Sequence, residues 1–305
     1  MAYEAEYLQG SAAYGETINM IQEVLAQYSA IYHRLSLQPD RCKHYGLTPS
    51  TFSFDLYLFA FKSVYSRVYG EPDDDNWRLV PVYDMANYAS NEHNLDQKTD
   101  YENGLFKAWT TKPIRKGEEI LNNYKSASLT EMNEFLSIWG MVIPEAAVPM
   151  GTKLLKIDPK YQKKLALFEK LDYPEEDILL ISPFYHRMPI DTVDFSYLLA
   201  LAIGESHSEN LTQEQWSRTW RDLVKRINSD LSYYPRTLQE NKKLLSQEKD
   251  RLSPNADLAI RYIIAEQESL HQSREVARRL SEEPMFHVNV SENEDLSSES
   301  LHDEL

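Results

Sequence analysis

Side chains able to do chemistry occur along the whole sequence, but few are spaced for it. The histidines are scattered: His44, His93, His186 and His207 form no i,i+4 pair that would put two imidazoles on one helix face for a metal. The nine glycines include no Gly-x-Gly, so there is neither a dinucleotide fingerprint nor a phosphate-binding loop. No Gly-x-Ser-x-Gly elbow presents a nucleophilic serine. The acid pairs Asp73–Asp75 and Glu175–Glu176 fall in turn-like stretches, where they read as solvated loops before catalytic dyads. Cys42 stands alone, which rules out an internal disulfide and a Cys-rich zinc cluster. Hydrolase, NTPase and metalloenzyme chemistry therefore have no pattern in their favour, and no metal is expected. What remains is a series of short signals in a fixed order. Leu-Val-Pro-Val-x-Asp-Met-x-Asn spans 79–87, Ile-x-Lys-Gly-Glu-Glu-Ile spans 114–120, Asn-Asn-Tyr follows at 122–124, and Ile-Trp-Gly-Met-Val closes at 138–142.

The elements that would position these signals can be read from periodicity. Ile18, Ile21, Leu25, Tyr28 and Ile31 recur three or four apart and predict an amphipathic helix over 16–32. A second helix is predicted over 53–69, with Ser50 or Ser53 as its cap and Phe54, Leu58, Phe61, Val64 and Tyr65 as its buried stripe. Three extended pieces follow at Leu79–Val82, Leu105–Thr110 and Glu119–Tyr124, bounded by Asn103-Gly104 and Lys116-Gly117. A further helix leads to the Ile-Trp-Gly run. From about residue 146 only helices are predicted. One covers 211–231 with Trp216, Trp220, Leu223, Val224, Ile227 and Leu231 on one face and Asn210 as a candidate cap. Another covers 255–280 through Leu258, Tyr262, Ile263, Leu270, Val276 and Leu280. Past about residue 290 the composition is that of a disordered acidic tail, with six acids and no Lys or Arg among the last fifteen residues.

Bulk composition narrows the partners. The chain has 305 residues, 42% of them hydrophobic and 11% aromatic, enough for two modest folded domains. A formal charge of −16 disfavours nonspecific nucleic-acid binding and suits a basic protein such as a ribosomal protein or histone. No apolar run approaches the roughly 20 residues that span a bilayer. The start, MAYEAEYLQGSAAYGE, lacks the regions of a signal peptide. His302-Asp303-Glu304-Leu305 spell an ER-retention address, though no visible signal sends the chain there.

Taken together and in order, the motifs resemble the SET-domain enzymes of the Rubisco large-subunit methyltransferase class, whose consensus reads roughly LVPxxDxxNH, then IxxGEExxxxYG, then YGF. The likeness extends to Tyr234–Leu245 and Ala259–Glu268, which are similar to that family's helical substrate-binding domain, and more loosely to residues 1–50. The resemblance implies an α+β fold: a partial SET β-fold with a helical insertion, followed by an all-α C-terminal domain. The expected divisions are 1–78 as the insertion, 79–145 as the C-terminal part of the SET core, 146–290 as the substrate-binding domain and 291–305 as the tail.

The resemblance also implies a reaction, transfer of a methyl group from S-adenosylmethionine to a lysine of a protein substrate. It implies a cytoplasmic or nuclear setting. By position, Tyr124 matches the tyrosine beside the transferring methyl, and Asn87 the amide that grips the methionine part of the cofactor. Asp84, Met85, Ala86, Asn87 and Tyr88 match the segment wrapped on the cofactor, Arg67 an arginine of the same pocket, and Trp139 a position near the lysine channel. The chain departs from the family at three points: Tyr88 replaces a histidine, Lys125 replaces a glycine, and no Gly-x-Gly cofactor segment is present. Two accounts of the last departure stand side by side. Met1 is an internal start within a full enzyme, or the chain is a degenerate relative acting as a noncatalytic protein-binding module.

Overall fold

The computed structural model describes residues 4–69, 78–89, 92–100, 103–124, 132–144, 146, 148–150, 179–181 and 212–282. Its described residues form two compact units. The larger is drawn from 4–150, 180–181 and 230–270, the smaller from 212–229 and 271–282.

In the larger unit, a 3-10 turn at Ala5–Leu8 leads into helix α1, Ala12–Leu37. The entry is tight. Gly10 has φ +89°, and a Cβ there would come within 2.5 Å of the Tyr233 carbonyl oxygen, so only glycine fits. Along α1 the buried side chains are Ala13, Val24 and Leu35, spaced eleven apart, which is close to three whole turns. The helix is longer than its apolar pattern indicates, and Leu25 and Ile31 from that pattern face solvent.

Helix α2, Phe54–Tyr65, begins at Ser53, whose hydroxyl accepts the Leu56 amide at 3.2 Å. It ends four residues short of the expected boundary, because 68–69 turn extended and pair as a strand. Its apolar stripe does not form a core: none of its twelve residues is buried, and Val64 and Tyr65 are exposed. The residues are spaced for burial, but the described chain brings nothing to cover that face fully. Tyr28 of α1 is its main partner, packing against Phe52, Phe54 and Tyr57 at 5.3–5.8 Å between ring centres.

The β-structure is small. Strand β1, Val68–Tyr69, pairs antiparallel with β2, Arg78–Leu79. The extended run expected at 79–82 stops at Leu79. Pro81 offers no N–H, and Val82 turns to φ +76°, ψ −49°, a strained region for a β-branched residue. A 3-10 turn follows at Tyr83–Met85. The main sheet then comprises β3 (Asn87–Tyr88), β4 (Leu95–Asp100), β5 (Leu105–Thr110) and β6 (Leu121–Asn122), in the order β3-β6-β4-β5. β3 and β4 run parallel to β6, and β4 and β5 form an antiparallel hairpin.

Beyond β6, helix α3 (Met132–Glu134) continues as a π-helical turn, Phe135–Trp139, ended by Gly140 at φ +66°. Strands β7 (Val148–Met150) and β8 (Leu179–Ile181) form a third, two-stranded sheet.

Among the described residues, the α-helices that follow are α4 (Gln213–Ser232), α5 (Leu238–Glu248) and α6 (Pro254–Glu282). At the start of α4, Thr212 and Gln215 exchange hydrogen bonds of 2.8 and 3.3 Å, so the threonine caps it; Asn210 lies outside the described residues. Helix α5 carries a full capping box from Thr237 and Glu240. In the larger unit α6 buries Ala259, Ile260, Tyr262 and Ile263, and with them a carboxylate, Glu266. That carboxylate accepts Tyr234 Oη at 2.6 Å, Tyr262 Oη at 3.1 Å and the Ala12 amide at 3.1 Å. In the smaller unit Leu223, Ile227 and Ala277 are buried, and Arg274 donates to Asn228 at 3.1 Å.

Among the described residues, no helix is long and apolar enough to cross a membrane, and no cluster of three or more His, Cys, Asp or Glu could hold a metal. The predicted acidic tail lies outside the described residues, as does Lys125.

Candidate functional site

The site is assembled where α2, the 83–88 segment, β6 and the π turn meet. Arg67 leaves the end of α2 and its Nη1 donates to the Asp84 carbonyl at 2.7 Å, with Asp84 Oδ2 at 4.0 Å and Met85 Sδ at 3.3 Å. The guanidinium thus ties the 3-10 turn to the helix mainly through backbone. The Asp84 carboxylate is the more enclosed partner, at 15% exposure against 41% for Arg67.

Tyr124 lies two residues past β6, and its hydroxyl donates to the Ala86 carbonyl at 2.7 Å. Its ring packs on Tyr88 at 5.5 Å and on Trp139 at 5.4 Å between centres. Phe135 closes the group, 5.3 Å from Tyr88 and 5.4 Å from Trp139. Phe135 and Trp139 stand four apart in one helical turn, a spacing that puts both rings on nearly one face. Trp139 is further fixed by its indole N–H, which donates to the Ser66 carbonyl at 3.1 Å. Tyr88 packs its ring inside this cluster, against Tyr124 and Phe135.

Burial pushes the Tyr124 phenol above its ordinary value, with Arg67 opposing and Asp84 reinforcing the shift. The phenol is therefore neutral at physiological pH. Because its proton is given to Ala86, its oxygen lone pairs are left to accept from something else.

Asn87 points outward. Its Nδ2 donates to Glu119 Oε1, and a carboxylate accepts only, so the Asn87 oxygen is turned away and free to accept a donor. Met85 is exposed as well, at 67%.

Two buried amides that the sequence reading did not single out hold this frame together. Asn94 donates to the Glu119 carbonyl and accepts the Leu121 amide, each at 2.9 Å, standing in for ladder bonds between β4 and β6. Asn122 accepts Tyr83 Oη at 2.9 Å and donates to Tyr69 Oη at 3.3 Å. Burial holds the Tyr69 phenol up at about 12 and pushes Tyr83 higher still, so both remain neutral donors or acceptors. Only the Asn-Asn-Tyr run hinted at Asn122; Asn94 carried no pattern.

All the predicted site residues (Arg67, Asp84, Met85, Ala86, Asn87, Tyr88, Tyr124 and Trp139) are thus brought to one place. The fold that carries them is that of the SET-domain methyltransferases. Among solved structures, the SET domain of LSMT bound to lysine and AdoHcy superposes with a TM-score of 0.61 at 16% identity, covering 92% of this chain and 67% of that one. Rubisco LSMT bound to AdoMet gives 0.62 at 16% identity, covering 92% and 66%. The complex of Rubisco LSMT with sinefungin and monomethyllysine gives 0.57 at 17% identity, with the same coverage. The chain spans about two thirds of the length of these structures. No family model and no curated protein matches the sequence. The architecture is as expected from the motifs: a mixed helix-and-strand SET-like fold with a C-terminal helical region.

Proposed function

We propose that the chain carries the tyrosine-bearing part of a protein-lysine N-methyltransferase of the SET class, acting with S-adenosylmethionine on a basic protein. The observation that carries this reading is the Tyr124 hydroxyl held 2.7 Å from the Ala86 carbonyl, inside the segment that Arg67 anchors. The similar structures are complexes with AdoMet, AdoHcy, lysine or monomethyllysine, which favours the same ligand classes here.

The residues present fit one side of that cofactor. The outward Asn87 oxygen suits an ammonium group, and the exposed Met85 and Asn87 offer a wall. When bound, S-adenosylmethionine supplies a sulfonium methyl group to a neutral amine. The chain's own task is to make and aim that amine. Freeing a lysine of its proton at pH 7 costs about 4.6 kcal/mol from a pKa near 10.4. The aromatic surface of Tyr124 and Trp139 disfavours the charged form by excluding water. The lone pairs of the neutral Tyr124 oxygen can then accept from the amine or the polarised methyl, favouring in-line approach.

A direct test is transfer of labelled methyl from S-adenosylmethionine into a basic-protein fraction, followed by hydrolysis to free amino acids. N-methyl-lysine that disappears with Tyr124→Phe is the expected result. None above background, with or without an added SET lobe bearing a Gly-x-Gly segment, would sink the proposal.

A second reading, a noncatalytic protein-binding module, is favoured by the outward exposure of Met85 at 67% and Val82 at 84%. With no Gly-x-Gly in the sequence, no backbone of that type is available to approach the cofactor closely from its other side. Titration of residues 1–305 with S-adenosylhomocysteine separates the two. Weak or undetectable binding is expected for the chain alone, and low-micromolar binding would make the enzyme reading the sole survivor. The module reading in turn requires a specific basic partner to be retained from lysate without cofactor, at low and at moderate salt.

A further inference from the structure

The larger unit also contains a concavity of about 580 Å³ between α1, α2, the π turn and the start of α6. That volume lies within the range of small-molecule sites, and its walls have the same character, mostly apolar with few polar groups. Ile21 lines it from α1, Leu58 and Phe61 from α2, Trp139 from the π turn and Leu258 from α6. It also accounts for an oddity of α2, whose sequence Phe-Asp-Leu-Tyr-Leu-Phe-Ala-Phe is strongly apolar yet has no buried residue. A helix apolar on most sides is normally covered.

Charge at the concavity is asymmetric. Its charged lining residues are Lys62 and Glu4. The Glu4 carboxylate is engaged by Ser253 and Asn255 at the α6 end. Lys62 is an exposed lining residue, desolvation lowers its pKa, and no carboxylate among the described residues contributes to the shift. An apolar hollow lined by an ammonium that pairs with no carboxylate among the described residues selects an amphiphile with an anionic head. A cationic head would meet Lys62 as a like charge. Sugars and nucleobases would lose hydrogen bonds against aliphatic and aromatic walls.

We propose that this concavity binds a long-chain carboxylate, its hydrocarbon tail against Ile21, Leu58, Phe61 and Leu258 and its carboxylate paired with Lys62. The proposal is independent of methyl transfer and needs no cofactor. It has one structural link to the candidate site: Trp139 forms part of this wall, and its ring packs 5.4 Å from that of Tyr124.

The test is calorimetric titration of the full chain with decanoate, dodecanoate and tetradecanoate below their micelle thresholds, beside dodecyltrimethylammonium. Affinity should rise about fourfold per added methylene until the hollow is full. Lys62→Met, which keeps the apolar stem, should weaken carboxylate binding at least about tenfold, the usual scale of a lost charge-assisted pair. Leu58→Trp should abolish binding by filling the space. If that variant loses helical circular dichroism, Lys62→Met decides alone. No binding, equal binding of the trimethylammonium chain, or indifference to Lys62→Met would each overturn the proposal. The last two results would mark the hollow as an unselective apolar surface, suited to a stretch of polypeptide.

Discussion

The Tyr124 hydroxyl donates to the Ala86 carbonyl at 2.7 Å, across 38 residues of chain. One bond thereby fixes the phenol's proton and the backbone of the segment it faces. Tyr124→Phe should act twice. Leaving the carbonyl without its donor should cost about 1–3 kcal/mol of stability. Methyl transfer, if present in a complete enzyme, should fall by roughly tenfold or more, the worth of about 1.4 kcal/mol in the barrier. Denaturant titration reads the first effect and labelled-methyl incorporation the second. An unchanged methylation rate would remove Tyr124 from the chemistry.

Trp139 is held by the Ser66 carbonyl at 3.1 Å and by two rings. Trp139→Phe keeps an aromatic ring but deletes the N–H donor, so a loss of about 1–2 kcal/mol is expected. Trp139→Ala should cost more, about 3–5 kcal/mol, at the upper end for a half-buried ring. Equal losses for the two variants would mean that the hydrogen bond, not the ring, is what the site uses.

Val82 sits at φ +76° with its side chain 84% exposed, directly before the 3-10 turn at Tyr83–Met85. Relief of strain worth about 1–3 kcal/mol should offset the usual entropic cost of glycine. Val82→Gly is therefore expected to be neutral or stabilising by thermal unfolding. A clear drop in the midpoint would show that the valine side chain is needed where it stands.

Glu266 supplies the pH dependence. Burial holds its carboxyl up at about 7, although Tyr234, Ala12 and Tyr262 all donate to it, and Asp230 adds to the upward shift. Glu16 also faces this group, through Tyr262. Its folded-state pKa lies above the unfolded value of 4.5, so its contribution to stability is complete below about pH 4.5. That contribution is lost as pH rises through 7, on the order of 3 kcal/mol in all. Glu4, Asp100 and Glu275, whose pKa values are lowered, act in the opposite sense at acid pH. The informative quantity is thus the difference between wild type and Glu266→Gln. Wild type should lose thermal stability relative to the variant between pH 5 and pH 8, and parallel curves would contradict the assignment.

Much of the site was legible in the sequence because its residues sit in short, local motifs. Asp84–Tyr88 and Tyr124 stand in the motifs that carry the resemblance to the SET-domain enzymes, and they do converge. What the residues do there was not legible, since Ala86 and Asp84 act through backbone carbonyls, which any residue type supplies. Asn94, Asn122 and Glu266 were missed for another reason. Each is a polar group made useful by partners 25 to 254 residues away, and no local periodicity encodes that. Strand β4, Leu-Asp-Gln-Lys-Thr-Asp, was invisible because a hairpin strand exposed on both faces has no apolar alternation to detect. For α2 the error ran the other way. Its stripe was read as core, but spacing reports which side chains share a face, not whether anything lies against it.

The π turn at Phe135–Trp139 is where the chain carries one residue more than an α-helical turn needs. A single deletion within it lets the helix relax to ordinary α winding, and four such residues, at about 100° each, sweep nearly the same angle as five of the wider turn. The downstream chain keeps its direction after that one loss. A second deletion has no such reserve: it swings the chain by about 100° about the axis and takes Trp139 from Tyr124 and from the Ser66 carbonyl.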